Sequence, residues 1–159
     1  MFVDEYHNSV GLGSNMLVGF TADRRGLVPE NDVAKVTRVG DFLRRCYGSP
    51  LARSAEPTAL HAPADYIDLE MPSGASTDRV WLREDITTGQ RAQAFKVFTL
   101  ATRQAEPQLV FTGSSVARKR IVLFNATTAV QVVRFQVTEA LEWPVPISEV
   151  AAFAPCGEP

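Results

Sequence analysis

The sequence predicts a mainly β protein: an eight-stranded jelly-roll sandwich with a strand and an amphipathic helix ahead of it. Three observations predict this. Beyond Pro50, short apolar stretches alternate with turn residues, the pattern of an all-β domain. Within those stretches the apolar residues keep a period of two. Val133, Phe135 and Val137 alternate with Arg134, Gln136 and Thr138, so one face enters a core and the other meets solvent or a partner. Before Gly48 the period is helical instead, which divides the chain into residues 1–49 and 50–159.

The elements follow in order. Residues 16–20 form a short apolar run closed by the turn Asp23-Arg24-Arg25-Gly26, and this length and boundary favour a buried strand. From Val33, apolar residues recur at Val36, Val39, Phe42 or Leu43, and Cys46 or Tyr47, the stripe of an amphipathic helix. Pro29, Glu30, Asn31 and Asp32 suit its first turn, where a fixed φ and negative charge are favourable. Arg44 and Arg45 suit its last turn, with Gly48 as the stop and Pro50 beyond. Strands are expected near residues 51–56, 65–71, 78–84, 90–101, 108–112, 119–125, 129–138 and 148–154, and eight strands suit a jelly roll. Trp81, between Val80 and Leu82, is expected on the outer face.

Length and charge exclude several functions. The 159 residues make one ordinary domain with a buried core. They fall short of a (β/α)₈ barrel, which takes about 250. Sixteen basic and eighteen acidic residues give a net charge of −2, and the clusters Arg24-Arg25, Arg44-Arg45 and Arg118-Lys119-Arg120 are too short for a nucleic-acid surface. No apolar run approaches the ~20 residues that span a bilayer. Met1 leads into Asp4 and Glu5 rather than a basic and then apolar leader, so neither an anchor nor a signal is expected within this chain. Cys46 and Cys156 fit neither a redox pair nor a metal knuckle, and the default is two unrelated thiols. The alternative is a disulfide worth up to ~4–5 kcal/mol, which would need an oxidising compartment. Asn125-Ala126-Thr127 is a glycosylation sequon and agrees with a secretory origin.

Few residues suggest chemistry. Glu84 and Asp85 are adjacent carboxylates, but neighbours on a strand point to opposite faces. They are therefore poorly placed to flank one glycosidic bond at the ~5–5.5 Å separation of a retaining site. Bonds to turn N–H groups, or pairing with Arg83 or Arg91, are expected of them instead. The two histidines, His7 and His61, stand in no nucleophile motif, and His7 is expected to pack or cap. Gly11-Leu12-Gly13 lacks the third glycine of a dinucleotide fingerprint. No catalytic residue, zinc set or cofactor is expected, and calcium stays open because backbone carbonyls with one or two Asp side chains suffice for it. If the sandwich binds sugar, loop residues at one end would stack on C–H faces and bond hydroxyls, and the candidates are His61, Arg118 and Trp143.

A family resemblance rests on two sets of residues. The first is Arg83-Glu84-Asp85-Ile86, two residues, Gly89-Gln90-Arg91 and a strand, followed later by Gly113 and Lys119-Arg120-Ile121. The second, nearer the N-terminus, is Ser9-Val10-Gly11, Asn15 and Asp23-Arg24-Arg25-Gly26. In this order they resemble the C-terminal region of α-L-fucosidases of glycoside hydrolase family 29, from the last strand and helix of the catalytic barrel into a galactose-binding-domain-like, discoidin-like sandwich. The resemblance implies a parent protein that hydrolyses α-L-fucosides by a retaining mechanism, with its catalytic carboxylates on the barrel and this piece alone inactive. It also implies a secreted or lysosomal location. The implied partners are the missing barrel or a second copy, and fucose- or galactose-containing glycans; Trp81 would help dock the barrel. Two departures fall in loops. Ala105-Glu106-Pro107 stands where the family often carries Gly and Trp, and Ala117-Arg118 where it carries Gly and a ring-bearing residue. A stand-alone carbohydrate-binding module, or a structural and interaction domain, are the alternatives.

Overall fold

The computed structural model describes residues 2–127 and 129–157. The chain opens with helix α1 (Phe2–Asn8) and a single 3₁₀ turn (Val10–Leu12), followed by helix α2 (Glu30–Tyr47). Nine strands follow among the described residues: β1 (Ala52–Arg53), β2 (Thr58–Leu60), β3 (Tyr66–Glu70), β4 (Thr77–Glu84), β5 (Ala92–Leu100), β6 (Gln108–Gly113), β7 (Arg120–Thr127), β8 (Val132–Ala140) and β9 (Val145–Phe153). They form two antiparallel sheets. The first runs β1-β9-β4-β7 with β2 also on β9, and the second runs β3-β8-β5-β6.

The period-two pattern sets the core. Leu82 and Val80 of β4 are fully buried, as are Phe95 and Val97 of β5 and Val133, Phe135 and Val137 of β8, so the inner faces of both sheets meet in one cluster. Gly113 of β6 pairs with Phe95, and a Cβ there would run into the Phe95 ring and lie 3.0 Å from the Phe111 ring. The motif glycine is thus required by packing.

The opposite face of the first sheet carries a second, smaller core. Trp81 of β4, Ile121 of β7 and Ala151 and Phe153 of β9 pack against Val3 of α1 and Phe42, Cys46 and Tyr47 of α2. The helix stripe is used only in its second half. Val33 and Val36 are exposed, while Val39 and Leu43 lean on the cluster and Phe42, Cys46 and Tyr47 are buried.

Three expectations are corrected. Residues 16–20 are not a strand: they run as irregular chain with Leu17 98% exposed. A strand needs a neighbour to take its backbone bonds, and no strand among the described residues pairs with this segment. The strand count is nine rather than eight, because Thr58–Leu60 adds to the edge of β9, a three-residue element too short for periodicity to reveal. The cysteines are not independent. Cys46 and Cys156 form a disulfide with Cα atoms 5.5 Å apart, tying α2 to the segment after β9.

Candidate functional site

The loops between β4 and β5, between β6 and β7, and between β8 and β9 gather at one end of the sandwich, because each joins strands whose ends are in register. Glu84 pairs with Ile147, and its N–H donates to the Ala117 carbonyl at 3.0 Å; the Asp85 N–H donates to Pro146 at 2.8 Å. Leu60 pairs with Val145, which brings the loop after β2 to the same end.

The paired carboxylates have local work here. Glu84 is 2% exposed, and its Oε1 accepts the N–H groups of Arg91 at 2.5 Å and Ala92 at 3.1 Å, closing the β4–β5 turn. Asp85 Oδ1 accepts the Thr87 N–H at 3.0 Å, and this bond holds its carboxyl below the usual range. Arg91 in turn donates to the Pro144 carbonyl at 2.8 Å and binds the turn to the β8–β9 loop. The fixed spacing of Arg83-Glu84-Asp85-Ile86 and Gly89-Gln90-Arg91 is therefore that of a self-bonded turn, with Gly89 at φ +102° supplying the conformation that β-carbon residues avoid.

The three sugar-binding candidates lie at this end but do not converge on one site. His61 is exposed beside Asp65, whose carboxylate accepts the His61 and Ala62 N–H groups at 2.6 and 3.1 Å. Trp143 precedes a cis proline and packs partly against the main core. Arg118 alone of the three lines a cleft of about 580 Å³ between the 3₁₀ turn and the β4–β5 turn, together with Val10, Ser14, Arg83, Ile86 and Lys119. Beside Arg118, Ala117 adopts φ +54°, a left-handed conformation that costs an alanine about 1 kcal/mol.

Sequence reasoning missed the aromatic wall behind this cleft. The Lys119 ammonium lies 4.4 Å from the Trp81 ring centroid and 5.5 Å from that of Tyr6, and it donates to the Tyr6 hydroxyl at 3.0 Å. Tyr47 stacks on the other side of the same cluster, 6.3 Å from Trp81, and its hydroxyl meets His7 Nε2 at 2.7 Å. Alternation placed Trp81 outward, but nothing local in sequence pairs Lys119 with a tyrosine 113 residues away.

The His7–Tyr47 contact gives a pH expectation. Burial pushes Tyr47 up to about 12, so it remains a hydroxyl at any working pH. Burial, and then the Arg79 charge, hold the His7 imidazole below its ordinary value against the opposing pull of Asp4. The unfolded chain therefore binds this proton more tightly than the folded one. The contribution of His7 is present above the ordinary histidine pKa of ~6.5 and is lost as pH falls through the lowered folded value. Thermal unfolding between pH 7.5 and 5 should show a steeper acid loss for the native chain than for His7→Gln; parallel curves would refute the assignment.

The architecture and site define a two-sheet jelly-roll module with a helical lead-in and a loop-lined end. Its neighbours in sequence and structure are α-L-fucosidases of glycoside hydrolase family 29, and the chain resembles their C-terminal region. α-L-Fucosidase 1 of Arabidopsis thaliana is 23% identical over 150 residues, spanning 77% of this chain and 30% of that protein. A proposed α-L-fucosidase of Bacteroides ovatus superposes with a TM-score of 0.88 at 27% identity, over 99% of this chain and 27% of its own. One from Bacteroides thetaiotaomicron gives 0.84 at 26%, over 97% of this chain and 33% of its own. The chain thus spans about a third or less of each of these three proteins. No family model matches it.

Proposed function

We propose that this chain is the non-catalytic C-terminal β-sandwich of an α-L-fucosidase-like glycoside hydrolase, and that a catalytic barrel belongs against its helical lead-in. The observation that carries this reading is the apolar surface of that lead-in. Leu17, Leu27, Val28, Val33 and Val36 are 98, 57, 42, 50 and 41% exposed and follow one another along residues 17–36. Exposed large apolar side chains concentrated in one segment suit a face that other protein covers, and the relatives are about three times as long as this chain. The secretory route implied by the resemblance is supported by the disulfide, which persists in oxidising compartments. It is also supported by the exposure of Asn125 in the sequon.

Glu84 and Asp85 serve the turn rather than a substrate. The purified chain is therefore expected to release no product from an aryl α-L-fucoside, whereas a longer product of the same gene that includes the barrel should release it. Turnover by the short chain that vanishes in Glu84→Gln or Asp85→Asn would overturn the proposal.

A further inference from the structure

The cleft beside Arg118 has an unequal supply of hydrogen-bonding groups, and that imbalance points to what it would take. Its two carboxylates are partly committed: Glu84 Oε1 accepts two backbone N–H groups while its Oε2 is buried without a partner, and Asp85 Oδ1 accepts the Thr87 N–H. The Ser148 hydroxyl already donates to the Arg83 carbonyl at 3.2 Å. The donors are not spent. Arg118 is exposed and makes no side-chain bond or ion pair among the described residues. Arg83 shares Glu149 with Arg53, at 3.5 and 2.8 Å respectively, and its Nε–H is buried without a partner. Lys119 gives one proton to Tyr6 and keeps two.

Three cations, Arg83, Arg118 and Lys119, face two carboxylates in this lining, and the exposed Arg118 guanidinium is unpaired among the described residues, a balance that favours a ligand that brings acceptor oxygens and negative charge. Its size falls within the ~300–1,000 Å³ of small-ligand sites. Val10 and Ile86 add an apolar strip on which the C–H face of a ring can lie, and Ser14 and Thr87 lie within the same lining. We propose that this cleft, formed jointly by the 3₁₀ turn of the lead-in and the loops of the sandwich, is an accessory recognition site for an anionic saccharide unit. Its sulfate ester or carboxylate is received by Arg118, with Arg83 and Lys119 alongside. The choice of a saccharide rests on the glycoside hydrolase reading above, but binding by this chain is independent of whether the longer protein hydrolyses fucosides.

The test is a titration of the 159-residue chain, following backbone amide resonances of residues 83–87 and 117–119, with four probes: galactose 6-sulfate, galacturonic acid, galactose and sodium sulfate. At least one anionic sugar should saturate these resonances with an affinity tenfold or more above that of galactose, and raised salt should weaken it. The pair of anionic probes tells a sulfate ester from a carboxylate. Arg118→Glu should abolish the response, and Arg118→Gln should reduce it several-fold with the spectrum otherwise unchanged. Silence from both anionic sugars, or binding unaltered in both variants, would overturn the site. Sodium sulfate binding as tightly as the sulfated sugar would reduce it to an ion site and overturn the saccharide assignment.

Discussion

Removing the Cys46–Cys156 disulfide is expected to lower the stability of the folded chain by about 4 to 5 kcal/mol in the chain-entropy account. The bond closes a segment of 110 residues, nearly the whole sandwich, so its loss releases a large ensemble of unfolded conformations. Its position adds a local effect. Cys46 sits in the buried cluster of α2, and Cys156 follows the central strand β9, where its carbonyl accepts a bond from Arg79 at 3.0 Å. The bond therefore pins the last turn of α2 to the sheet it covers. Thermal unfolding of the native chain with and without reductant, and of the double Ser variant, should show the loss directly. At roughly 2–4 °C per kcal/mol for a chain of this size, the midpoint should fall by some ten degrees or more. An unchanged midpoint in both would mean that the helical layer is held by packing alone.

What was legible in the sequence follows from the range over which each signal acts. The alternation along residues 133–137 reports a face buried by neighbouring strands. Strands β3 to β9 were accordingly visible near their observed positions, for the same reason that Phe135 and Val137 are fully buried. The turn around Glu84 was legible because its bonds are local, spanning seven and eight residues to Arg91 and Ala92. Residues 16–20 misled because their composition suits a strand wherever a sheet is present to receive it; the strand signal belongs to an environment that these residues lack here. The disulfide and the Lys119–Tyr6 contact join positions more than 100 residues apart, and no periodicity encodes such pairings. Of the sugar-binding candidates, Arg118 lines the cleft, but the donors that make the cleft distinctive came from Arg83 and Lys119. Their availability depends on where Glu149 and Tyr6 end up in three dimensions.

Phe153→Ala should separate the helical layer from the sandwich. Phe153 is fully buried on the outer side of the first sheet, with its ring centroid 4.9 Å from Trp81 and 5.3 Å from Tyr47. It therefore supports the surface on which α2 rests. Truncating a buried phenylalanine costs about 3–5 kcal/mol through lost burial and the cavity left behind. The cost here should not be shared evenly. Phe135 lies in the cluster between the sheets, so Phe135→Ala should weaken every strand, whereas Phe153→Ala should act first on α1 and α2. Hydrogen exchange should then show the α2 amides losing protection while the β5–β8 ladder keeps most of its own. Equal loss in both would mean that helices and sheets open as a single unit. Because the disulfide holds α2 beside Phe153 whether or not the ring is present, Phe153→Ala should open the helical layer much further in reduced protein than in oxidised. A double-mutant cycle with the Ser variant would measure that coupling. Additive effects would contradict the view that packing and the covalent tie secure the same contact.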